Sequence, residues 1–322
     1  MNGGKVFIIA EAGVNHNGSL ETAKTMVDVA AKAGADMVKF QTFSAARLVT
    51  TSAIKADYQN QTTDESESQH DMIHKLELTR GMHEELIAYC RRCDIEFFST
   101  GFDTQSIDML VELGLEHFKV PSGEITNLLY LRHVGKYGKP VILSTGMANM
   151  GEIETALDVL ETSGTPRNQI TVLHCNTEYP TPMKDVNLRA MLAIRDALGV
   201  AVGYSDHTPG IEVAIGAVTL GATLVEKHFT LDKNMEGNDH KVSLLPSEFA
   251  EMVNQIRQVE ESLGQARERA ISQGEMINRE ILAKSLVVNT DLKTGEMIKR
   301  EMIDVKSPGQ GVQPYRINDL VG

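Results

Sequence analysis

The 322-residue chain is acidic, with 31 Lys plus Arg against 44 Asp plus Glu and a formal net charge of −13. That balance argues against nucleic acid as the main partner, although a cationic pocket for a small anion can sit inside an acidic protein. With 42% hydrophobic and 23% charged residues, the composition is that of a soluble globular protein with a sizeable core. No apolar run is long enough to span a membrane, and Phe7–Ala10 is too short for a signal-peptide core, so the expectation is a cytoplasmic protein with no membrane partner.

In chain order, short runs rich in Val, Ile and Phe alternate with stretches of helical periodicity. The runs are Val6–Ala10, Met37–Phe40, Glu96–Ser99, His117–Val120, Pro140–Leu143, Ile170–Leu173, Val200–Tyr204 and Ala222–Val225. Helical patterns between them include Leu20–Ala33, Met82–Cys93, Thr104–Leu113, Ile153–Leu160, Leu188–Leu198 and Ile211–Leu220. Gly34, Gly114, Gly164, Gly199 and Gly221 supply helix stop signals. Eight strand–helix units over about 250 residues predict a (β/α)8 TIM barrel. A doubly wound sheet is the alternative, but the first strand lacks its glycine-rich phosphate turn. Val49–Asp71 is a long polar loop expected to shape the substrate pocket or act as a lid. Pro246–Leu263 reads as the eighth helix, Gly264–Arg279 as a charged linker and Ile281–Gly322 as a small β-rich domain built from Lys284–Val288, Lys293–Glu296 and Met302–Val305. The expected domains are therefore 1–264 and 281–322, joined by 265–280.

The three cysteines point to no redox centre. Cys90 and Cys93 form a C-x-x-C at the end of a helix, whereas thiolate chemistry needs the helix start, and Cys175 reads as a small core residue of a strand.

Barrel enzymes place their chemistry where strands end. The residues gathered there are Glu11, Asn15 and His16; Lys39, Gln41 and Thr42; Ser99, Thr100 and Asp103; Lys119, Ser122 and Glu124; and Ser144, Thr145 and Gly146. The last three strands add Asn176, Thr177, Glu178 and Tyr179; Ser205, Asp206 and His207; and Glu226, Lys227 and His228. If the last two strands are neighbours, His207 and His228 stand side by side, a pair suited to a divalent transition metal with open positions. The competing reading is two buried histidines hydrogen-bonded to backbone. Three lysines among hydroxyl groups point to a phosphorylated or multiply anionic small molecule.

The motifs I-A-E-A-G-V-N-H-N-G, V-K-F-Q-T-F, K-V-P-S-G-E-I, L-S-T-G-M, H-C-N-T-E-Y-P-T-P, G-Y-S-D-H-T and E-K-H-F-T-L-D, in order over nearly the whole chain, resemble the sialic acid synthase family. The resemblance implies condensation of phosphoenolpyruvate (PEP) with an N-acylated mannose-type sugar to give a nine-carbon 2-keto-3-deoxy acid. It also implies a C-terminal antifreeze-like (SAF) domain and a domain-swapped homodimer. By the same resemblance His207 and His228 bind the metal, usually Mn2+ with Mg2+ or Co2+ as alternatives. Lys39, Lys119, Ser122, Ser144, Ser205, Thr177 and Asn176 hold PEP; Glu11 and Glu124 lie near the reacting carbons; Gln41, Tyr179, Glu226 and Asp239 bind the sugar. Ala56–Gln59, Glu67–Gln69, Lys75–Leu78, Cys175–Pro180 and Leu231–Gly237 look most like the legionaminic acid branch, which uses 2,4-diacetamido-2,4,6-trideoxymannose in place of N-acetylmannosamine.

Departures from the family pattern are Asn238 where a proline is common, Ser307 where the SAF domain carries an arginine reaching the sugar's acyl group, and a SAF domain that reads as short at its end. They keep a non-catalytic sugar-binding relative in view. A metal-dependent barrel hydrolase built on His207, His228 and Asp239 is the other rival, without the H-x-H such enzymes carry on the first strand.

Overall fold

The computed structural model describes residues 5–50, 68–237, 239–264 and 268–322, which fall into two compact units, Met1–Leu263 and Gly264–Gly322. In the first unit eight parallel strands follow one another: β1 (Phe7–Gly13), β2 (Met37–Thr42), β3 (Glu96–Gly101), β4 (Phe118–Val120), β5 (Val141–Ser144), β6 (Ile170–His174), β7 (Ala201–Asp206) and β8 (Leu224–His228). Their ladder order is β3-β2-β1-β8-β7-β6-β5-β4, and β3 packs against β4 at the seam, so the sheet is a near-closed barrel. β7 and β8 are paired neighbours, as a shared histidine site requires.

The strands are buried on both faces because helices cover the outside and side chains fill the inside; β5 and β8 are buried along their whole length. Leu20–Ala33 and Pro246–Leu263 form helices at the expected bounds. The first starts where Ser19 Oγ accepts the Thr22 N–H and stops at Gly34, whose φ of +83° is left-handed. The expected Ile153–Leu160 helix is longer, Met150–Ser163, because Asn149 and Glu152 form a capping box one turn earlier. An eight-residue helix not read from the sequence, Leu128–Gly135, completes the fourth unit; Asn127 caps it, and it buries Tyr130, Leu131 and Val134.

Most of the expected long loop, residues 51–67, lies outside the described residues. At its end Ser68 caps a short helix, Gln69–His74. The second unit corrects two expectations. The charged stretch read as a linker carries the helix Gln273–Leu282, started by a Ser272/Glu275 capping box. The β content is one antiparallel pair, β9 (Ser285–Val288) with β10 (Ile303–Lys306), while Lys293–Glu296 makes a turn rather than a strand. Among the described residues no helix is long and apolar enough to cross a membrane.

Candidate active site

The polar clusters that end the apolar runs belong mostly to the strands themselves. Glu11, Lys39, Gln41, Thr100, Lys119, Ser144, Ser205, Glu226 and His228 all lie within β1 to β8. Alternation along each strand turns them inward, where they line a cavity of 210 Å³ at the C-terminal mouth of the barrel together with Ser122, Cys175, Thr177, Tyr179 and His207. Register places Glu11 opposite both Lys39 and His228, and Ser205 opposite Glu226.

The floor of the cavity is a buried ionic network. Lys39 Nζ lies 2.7 Å from Glu11 Oε2 and 3.4 Å from Glu226 Oε2, and donates to Thr100 Oγ1 at 3.0 Å. Lys119 Nζ donates to both oxygens of Glu226, at 2.8 and 2.9 Å, and Ser205 Oγ donates to Glu226 Oε1 at 2.9 Å. These contacts separate the two carboxyls. Burial pushes Glu11 up to about 7 despite Lys39. Burial also opposes ionisation of Glu226, but Lys119, Lys39 and Ser205 overcome it and hold that carboxyl well below the usual range. The Lys39 ammonium is treated likewise: burial lowers it, and the two carboxylates more than restore it. Burial leaves Lys119 lowered. Two lysines thus face one firmly ionised carboxylate and a second, Glu11, that takes up a proton near neutral pH, so an anion entering as Glu11 is protonated meets two lysines against one carboxylate.

The wall beside this network is aromatic. Tyr179 lies against His207 with ring centroids 4.2 Å apart, and the His207 and His228 centroids are 5.6 Å apart. His207 Nδ1 faces the Asn176 carbonyl, which can only accept, so the proton sits on Nδ1 and the Nε2 lone pair faces the Tyr179 hydroxyl at 3.1 Å. His228 Nδ1 is buried, has no hydrogen-bond partner among the described residues, and lies 4.0 Å from Asp239 Oδ2. Burial lowers both histidines, His207 to about 3, so both rings are neutral near pH 7. Neutral rings, one with its tautomer fixed by a backbone carbonyl, fit the donor set of a divalent metal. Among the described residues no three His, Cys, Asp or Glu side chains form a closed metal cage.

Not every expected residue joins this group. Glu124 lies off the cavity, with Oε2 accepting from Asn127 Nδ2 at 2.6 Å. Asn176 lines an adjoining 740 Å³ cavity, which shares Met147, Cys175 and Thr177 with the first, and donates to the Asp185 carbonyl; Asp239 stands behind His228, its Oδ2 4.0 Å from His228 Nδ1. Lys227 leaves the set of converging lysines, because the pleat turns it outward to a buried pair with Asp206. His16 is structural: fully buried, it accepts the Gly18 N–H at 3.0 Å, and burial lowers it to about 4. Asn15 likewise clamps the Phe229 carbonyl and Ser243.

Thr100, one of the residues gathered at the third strand end, acts here by holding Lys39, and its inward position follows from strand alternation. The contribution of one other residue was not read from the sequence. Cys175, expected inside a strand, lies just past β6 with its thiol 3.3 Å from Ser122 Oγ. Cys90 stays inert, since burial pushes its thiol up to about 12.

Comparison with known proteins identifies the family of the chain. The NeuB family model matches residues 26–268. The chain is 52% identical over 318 residues to the N,N'-diacetyllegionaminic acid synthase of Campylobacter jejuni, covering 99% of this chain and 95% of that protein. It is 44% identical to the protein of the same name from Legionella pneumophila, covering 98% and 89% of the two chains. Among solved structures it resembles the N-acetylneuraminic acid synthetase of Leptospira borgpetersenii, crystallised with citrate, at 34% identity and a TM-score of 0.74, covering 85% of this chain and 90% of that one. A family match over most of the chain, carried by the same barrel, makes this protein a member of the NeuB family.

Proposed function

We propose that the chain condenses PEP with 2,4-diacetamido-2,4,6-trideoxymannose and releases phosphate, forming a nine-carbon 2-keto-3-deoxy acid. The observation that carries this reading is the Lys39/Lys119 pair around Glu226, set directly beside the neutral His207/His228 pair. An anion belongs at the first pair and an oxygen ligand at the second. The sugar's identity rests on the two synthases named above. N-acetylmannosamine is the second reading, favoured by the 34% identical Leptospira relative.

In this reaction carbon 3 of PEP bonds to the sugar's aldehyde carbon. Water adds at carbon 2, and phosphate departs with cleavage of its bond to that carbon. Lys39 and Lys119 hold the carboxylate and phosphate of PEP by charge-assisted hydrogen bonds, with Ser122, Ser144, Ser205 and Thr177 lining the same cavity. Ser144 Oγ is buried without a partner among the described residues, a hydroxyl free to donate. Glu11, pushed up to about 7, can accept a proton from the attacking water and return it, which is the range a general acid–base group needs. Gln41 and Tyr179 line the same cavity and would contact the sugar, while Glu226, which accepts from Lys119 and neighbours Lys39, would hold the two lysines. His207 and His228 would hold a divalent metal, Mn2+ in this reading, and that ion supplies Lewis-acid polarisation of a bound oxygen.

The test is phosphate release from PEP by protein stripped of metal and resupplied with Mn2+, with the two sugars in parallel and His228→Ala as control. Mn2+-dependent release with the diacetamido sugar supports the proposal. Preference for N-acetylmannosamine moves the substrate to the second reading, and release by neither sugar rejects both.

A further inference from the structure

Asp206 and Lys227 are partners across the β7–β8 ladder, each next in sequence to one of the two site histidines. Because strand residues alternate, the pair faces away from the cavity while His207 and His228 face into it. Lys227 Nζ lies 2.9 Å from Asp206 Oδ2, and both side chains are fully buried. The rest of the pair's bonding converges on one residue. Asp206 Oδ1 accepts the Thr208 N–H at 2.8 Å and the Thr208 hydroxyl at 2.7 Å, while Lys227 Nζ donates to the Thr208 carbonyl at 2.6 Å. Every polar group of Thr208, the residue after His207, is therefore held. The His207 carbonyl is fixed as well, accepting the Thr181 N–H at 2.9 Å.

A desolvated ion pair adds little stability over apolar side chains of similar size, so stability alone does not account for this one. What the pair does supply is a fixed turn after β7 and a fixed register against β8, the two strands that carry the histidines. We propose that Asp206 and Lys227 are positioning residues that set the separation of the His207 and His228 rings, and hence the affinity of the site for a divalent cation. This inference rests on the metal reading of the histidine pair given above.

The test measures Mn2+ binding to the metal-stripped chain by the electron paramagnetic resonance signal of free Mn2+, with circular dichroism and melting temperature as fold controls. The main variant is Asp206→Asn/Lys227→Met, which removes the charges at nearly constant volume. A folded double variant is expected to bind Mn2+ at least about tenfold more weakly, the range seen when groups that orient metal ligands are removed. A merely structural role would lower the melting temperature and leave Mn2+ affinity unchanged, and that result overturns the inference. Asp206→Asn alone keeps an acceptor for Thr208 and should weaken Mn2+ binding less; if the double variant does not fold, wild-type affinity in this single variant overturns the inference instead. Absence of Mn2+ binding by the wild type would remove the metal reading and this inference together. Binding by the wild type that a folded double variant fully retains would remove the positioning role alone.

Discussion

Replacing Glu11 with Gln should change the pH dependence of stability in a calculable way. Burial raises the Glu11 carboxyl from an ordinary 4.5 to about 7, so the folded state holds this proton more tightly than the unfolded chain does. For a carboxyl shifted upward, the destabilising contribution is absent below the unfolded value, grows as pH rises, and is complete above the folded value. At 1.36 kcal/mol per pH unit, the gap amounts to about 3 kcal/mol, of which about 2–3 kcal/mol develops between pH 5 and pH 8. Gln is nearly isosteric, keeps an oxygen for Lys39, and cannot ionise. The two proteins should therefore be of similar stability at pH 5, with the Glu11→Gln variant ahead by about 2–3 kcal/mol at pH 8. Urea unfolding of both proteins in chelator, followed by far-ultraviolet circular dichroism across that range, measures the difference. An offset that stays constant from pH 5 to pH 8 would refute the reasoning, because Glu11 would then carry no folding-linked proton.

Other substitutions probe separate parts of the site. Lys119→Met strips Glu226 of two bonds and leaves a buried carboxylate short of a partner, which should cost about 3–5 kcal/mol of stability and raise the KM for PEP more than tenfold; steady-state kinetics and thermal unfolding read both effects. Gly146→Ala places a Cβ 2.5 Å from Thr177 Cγ2 and 2.8 Å from Ser122 Oγ, so it should cost about 1–3 kcal/mol and weaken PEP binding, with no comparable effect on Mn2+ affinity. Leu224→Ala, on a fully buried β8 position, should lower stability by about 2–5 kcal/mol in denaturant titrations while leaving the KM values of the folded enzyme close to wild type.

Much of the barrel was legible because local signals and tertiary packing agree. Ser19 and Gly34 bracket Leu20–Ala33 with a side-chain cap and a left-handed stop, and the apolar runs coincide with the strands to within a few residues. The helix Leu128–Gly135 was not legible, since eight residues give little periodicity and its identity depends on burying Tyr130 and Leu131 against the rest of the barrel. Orientation was harder still. In Leu224–His228 every position is buried, so no polar face marks which side chains point into the barrel. Only the ladder shows that Glu226 faces Lys39 and Lys119 while Lys227 turns away to Asp206. Glu124 and Asp239 fall in loop or single-turn segments after strands, where backbone direction rather than strand alternation decides where a carboxylate points. The inequality between Glu11 and Glu226 could not be read from residue type either; it arises from the contacts each makes once buried.

The central claim, that this barrel joins PEP to an aldehyde sugar, is tested most directly by following PEP labelled with carbon-13 at carbon 3. With Mn2+ and 2,4-diacetamido-2,4,6-trideoxymannose present, nuclear magnetic resonance should show the labelled carbon bonded to the former aldehyde carbon of the sugar, with one phosphate released per bond formed. Label recovered as pyruvate with equal phosphate would mean that the cavity hydrolyses PEP without joining it to anything, and would contradict the account.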